Sequence, residues 1–104
     1  MNKRLAMLEK LTATGSADAF AWYGLAMEYR NDKRPDDAIR TFETLRGRFP
    51  EYLAQYLMAG QTLLEQGKND AAAEWLREGI TLAESQGNAK ALAELRSALE
   101  EALE

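Results

Sequence analysis

The stretch FAWYGLAMEYRNDKRPDDAIRTFETLRGRFP, residues 20–50, decides the fold, because its apolar positions return in register further along the chain. Trp22, Leu25, Ala26, Tyr29, Ala38, Phe42 and Leu45 are answered 34 positions later by Tyr56, Ala59, Gly60, Leu63, Ala72, Leu76 and Gly79. Residue class repeats better than identity, with large, small and large apolar positions coming back in order. A period of about 34 residues marks a helix-turn-helix unit, which buries its apolar face by stacking on its neighbours. The pattern predicts an all-α helical solenoid of antiparallel helix pairs.

Working outward from this stretch, punctuation and periodicity place six helices. The first covers about residues 2–13, with Leu5, Leu8 and Leu11 on one stripe, and Gly15 and Ser16 supply a stop and a cap. The second covers roughly 17–31 and ends in a tight turn through Asp32, Lys33 and Arg34. Pro35 suits the first turn of the third, where its missing N–H has no helical partner, and Asp36 and Asp37 sit where the helix dipole favours negative charge. That helix ends near Gly47, and Pro50 and Glu51 are expected to open the fourth in the same manner, which runs to about Gln66. The fifth follows the Gly67–Asp70 turn and extends to about Ser85. Gly87 stops it, and Asn88 caps a sixth helix carrying Leu92, Leu95, Leu99 and Leu103 on one side.

These residues resemble the tetratricopeptide repeat, whose pattern is W-x2-L-G-x2-Y, then A-x3-F, then P. Trp22, Leu25, Ala26, Tyr29, Ala38, Phe42 and Pro50 stand at those positions, with Ala26 in place of the usual glycine. A second copy over residues 53–86 matches at Tyr56, Gly60, Gly67, Ala72 and Leu76 and departs at Ala59, Leu63, Gly79 and Glu84. The resemblance implies a right-handed solenoid of about six helices in a single domain: residues 1–18 as an N-terminal half-repeat, 19–52 and 53–86 as full repeats, and 88–104 as a C-terminal capping helix. Small residues recur for a reason. Ala26 with Ala38, and Gly60 with Ala72, fall where two antiparallel helices cross and only short side chains let the backbones approach.

In the same register Arg4 falls on the small Ala38 position, and Arg96 falls on that of Ala26 if two residues are inserted near Ser85 and Gln86. Arginine at a site that must be small beneath a partner helix is what a terminal cap would carry. A competing arrangement joins two molecules end to end, which would bring Arg4 and Arg96 close together.

Composition narrows the chemistry. The 104 residues, 46% apolar, contain neither cysteine nor histidine, so there is no disulfide framework, no thiol nucleophile and no imidazole base or ligand. The serines have no histidine to activate them, the carboxylates fall at solvating helical spacing, Asn69 and Asp70 begin no calcium loop, and the glycines build no phosphate cradle. The chain is therefore read as non-enzymatic, with no cofactor and no metal. Residues 1–50 carry nine basic and seven acidic side chains, and residues 51–104 four basic and ten acidic, for a net charge of −4. That balance disfavours nucleic acid as a partner. The basic residues Arg30, Lys33, Arg34, Arg40, Arg46 and Arg48 are interleaved with acids and read as solvated helix surface. Neither a signal-peptide core nor a membrane span is visible, and a cytoplasmic location is expected.

The second helix stands out. Phe20, Trp22, Tyr23, Leu25, Met27 and Tyr29 cover most of its circumference, although one buried face needs only a stripe. Repeat packing uses Trp22, Leu25, Ala26 and Tyr29, leaving Phe20, Tyr23, Met27 and Arg30. The fourth helix likewise leaves Leu57, Met58, Gln61 and Leu64, of which Leu57, Met58 and Gln61 join the candidate surface. In tetratricopeptide repeats such positions on first helices line a concave surface that holds an extended peptide or a partner helix, and the resemblance implies the same here. Methionines at 27 and 58 suit a surface that repacks around different apolar shapes. The competing reading is that these side chains meet one another across adjacent helices. The lysine, arginine and asparagine clamp with which some members grip a terminal carboxylate is not present, and acid follows on the last helix at Glu94 and Glu101. The expected role is a protein–protein interaction module, a small adaptor or scaffold for an amphipathic or apolar segment carrying some basic residues. The alternatives are a homodimer that fills the same surface with a second copy, or a chaperone-like holder of a client subunit.

Overall fold

The structure is a computed structural model describing residues 2–104. Among the described residues there are six α-helices and no strand, so the all-α expectation holds. They fall into two compact units divided between Pro50 and Glu51.

The first unit contains α1 (Lys3–Ala13), α2 (Ala19–Asn31) and α3 (Pro35–Arg48). The Asn2 side chain accepts from the Leu5 amide at 3.0 Å and starts α1, which buries Leu5, Leu8 and Thr12. Leu5 and Leu8 form a cluster with Leu25 of α2, and Trp22 and Tyr29 pack on its flanks. On the other side of α2, Ala26 lies in the tightly packed contact with α3, where Ala38, Phe42 and Leu45 are fully buried. Pro35 opens α3, with Asp36 and Asp37 in its first turn and Arg46 and Arg48 in its last, matching both ends of the helix dipole.

The second unit contains α4 (Ala54–Glu65), α5 (Asn69–Gln86) and α6 (Ala89–Ala102). Its core joins Tyr56, Ala59 and Leu63 of α4 to Ala72, Trp75 and Leu76 of α5 and Leu95 of α6. Glycine is required twice. A Cβ at Gly60 would lie 2.6 Å from Leu76 Cδ2, and one at Gly79 would lie 2.6 Å from Tyr56 Cβ and 2.8 Å from Leu95 Cδ2.

The 34-residue period is repeated bond for bond in the two inner turns. The Arg34 amide donates to the Tyr29 carbonyl at 2.9 Å, and the Lys68 amide to the Leu63 carbonyl at 2.9 Å. The next helix is tied in at once, by Ala38 N–H to the Arg34 carbonyl and Ala72 N–H to the Lys68 carbonyl, both 3.0 Å. The pivot of each turn is left-handed, Gly67 at φ 74° and its counterpart Lys33 at φ 59°. Lysine thus accepts at position 33 a conformation that suits glycine, because the closing hydrogen bonds on both sides fix the backbone there.

Two helix starts differ from expectation. The cap of α2 is Asp18, whose side chain accepts from the Ala21 amide at 2.9 Å, whereas the Ser16 hydroxyl pairs with Thr14 two residues outside the helix. A carboxylate at the positive end of the helix is the better cap. Pro50 and Glu51 form a turn, and α4 starts only at Ala54. Gln86, at the end of α5, donates through Nε2 to the Glu51 carbonyl at 3.0 Å, which ties that segment to α5 outside the helix.

Candidate functional site

The faces that packing leaves over lie on α2 and α4. Ala21, Leu25 and Ala26 are the buried residues of α2, and Phe20 stands 68% exposed at its start. Tyr23, Met27 and Arg30 are half-buried. Tyr23 serves the core in part, because its ring lies 6.3 Å from that of Phe42 at a tilt of 59°. That contact is to a repeat position of α3 and not to another of the residues left over on α2 or α4. Phe20 is an aromatic ring at the surface, next to the capped start of the helix.

In the second unit Leu57, Met58 and Gln61 are half-buried on α4. Gln61 faces α6 across an open recess of about 400 Å3, lined also by Ala93, Glu94, Ser97, Ala98 and Glu101. Positions 94, 97, 98 and 101 recur at helical spacing, so one face of α6 brings two carboxylates and a hydroxyl to a floor of short alanines. Glu94 and Glu101 make no ion pair among the described residues. The alanine floor was not singled out by sequence, since alanine carries no signal until a neighbouring helix is placed over it. Two fully buried polar residues escaped for a related reason. Gln55 donates to the Tyr52 carbonyl in the segment just before α4 at 3.0 Å, and Thr62 donates to the Met58 carbonyl of its own helix at 2.7 Å, so each side chain bonds the nearby backbone while occupying a buried position.

Charges around α2 and α3 are largely paired. Asp37 accepts from Arg34 Nε at 2.8 Å and from Arg40, and these guanidinium groups, Arg34 first, hold its carboxyl below the usual range. The Arg34 guanidinium also lies 4.7 Å over the Tyr29 ring, and that of Arg48 5.1 Å over Trp22. Tyr29 donates its hydroxyl to Glu9 Oε2 at 2.6 Å. Burial of the ring and then this bond to a carboxylate push the phenol up to about 12. The folded state therefore keeps a proton that the unfolded chain loses near pH 10, and the stability this contributes is intact below that point and falls as pH rises toward 12. A spectrophotometric titration should show one of the four tyrosines ionising late, and Tyr29→Phe should remove that component.

A family model for the tetratricopeptide repeat matches residues 23–89, well over half of the chain. The chain belongs to the tetratricopeptide-repeat family. A tetratricopeptide repeat domain protein from Salinibacter ruber, solved by crystallography, is 30% identical, with 82% of this chain and 96% of that one aligned at a TM-score of 0.76. A protein from Bordetella parapertussis, solved in solution, covers 99% of this chain and 90% of its own at 23% identity and a TM-score of 0.83. PcrH from Pseudomonas aeruginosa covers 98% and 90% at 15% identity and a TM-score of 0.79. These last two show a shared fold. No curated protein matches the chain. Tetratricopeptide repeats are in general non-catalytic folds for protein–protein interaction, and no helix among the described residues is long and apolar enough to cross a membrane.

Proposed function

We propose that this tetratricopeptide-repeat chain is a small adaptor that binds another protein through the outer faces of its first helices. Phe20, Tyr23, Met27 and Arg30 of α2 are its contacts in the first unit, and Leu57, Met58 and Gln61 of α4 in the second. The observation that carries the reading is Phe20. A large ring left 68% in water at the start of a well-packed helix is an apolar anchor with nothing in its own unit to cover it. Half-buried methionines at 27 and 58 add surface that adjusts to the shape of the ligand.

The charge of the second unit narrows the partner. Glu94 and Glu101 beside Gln61 offer acceptors to a lysine or arginine, so the segment bound is apolar on one side and carries basic residues, as an amphipathic helix does. The test is affinity capture on the immobilised chain, with identification of the retained protein by mass spectrometry. Phe20→Glu should lose that protein while its circular-dichroism melt stays unchanged, since the ring contributes little to the core. Retention of the same protein by the variant would contradict the reading.

A further inference from the structure

We draw no further inference here: the strongest candidate, the open recess between α4 and α6 where Glu94 and Glu101 flank Ser97 opposite Gln61, belongs to the partner-binding surface already described, and beyond its pair of carboxylates nothing in the structure points to a separate ligand.

Discussion

Phe42→Ala should destabilise the chain by about 3–5 kcal/mol. Its ring is fully buried in α3 and lies beside that of Tyr23, so truncation removes the largest side chain of this part of the core and leaves a cavity. Against a total stability of about 5–15 kcal/mol for a domain of ordinary size, that loss is a large fraction. Urea denaturation followed by circular dichroism measures it as a drop in the midpoint. Leu76 occupies the same place one period later and is equally buried, so Leu76→Ala should cost about 2–5 kcal/mol. A mild effect at both sites would mean that the repeated positions are not the core.

Gly79→Ala should destabilise by about 1–3 kcal/mol even though alanine is the better helix former. The added methyl would meet Tyr56 Cβ at 2.6 Å, an atom fixed to the backbone of α4, and Leu95 Cδ2 at 2.8 Å. Relief requires α4 to move relative to α5. Gly24→Ala is the control with the opposite sign. Its methyl would sit 3.7 Å from the Leu8 side chain, an ordinary contact, so the helix-propensity gain of up to about 1 kcal/mol remains. Melts of the two variants should therefore shift in opposite directions, and a stabilised Gly79→Ala would show that α4 and α5 do not approach as described.

The fold was legible because large and small apolar positions recur together. Ala26 with Ala38 and Gly60 with Ala72 announce helix crossings, and all four are buried. Gly87 and Asn88 were legible for a local reason, since a left-handed stop followed by an asparagine cap needs no distant partner. The start of α4 was not, because the bond from Gln86 to the Glu51 carbonyl joins residues 35 apart. The start of α2 was ambiguous because Ser16 and Asp18 are both good caps. At the surface, Phe20, one of the positions that repeat packing leaves over, is exposed, whereas Tyr23, another of them, also packs on Phe42, a contact that no spacing reveals.

Hydroxyl-radical footprinting of the chain with and without its captured partner tests the central claim most directly, since aromatic rings and thioethers are the side chains it reads. Protection of Phe20, Met27 and Met58 on partner binding is the result expected, with Met7 on α1 as the internal reference. Unchanged oxidation at all three, with protection confined to α3 or α5, would contradict it.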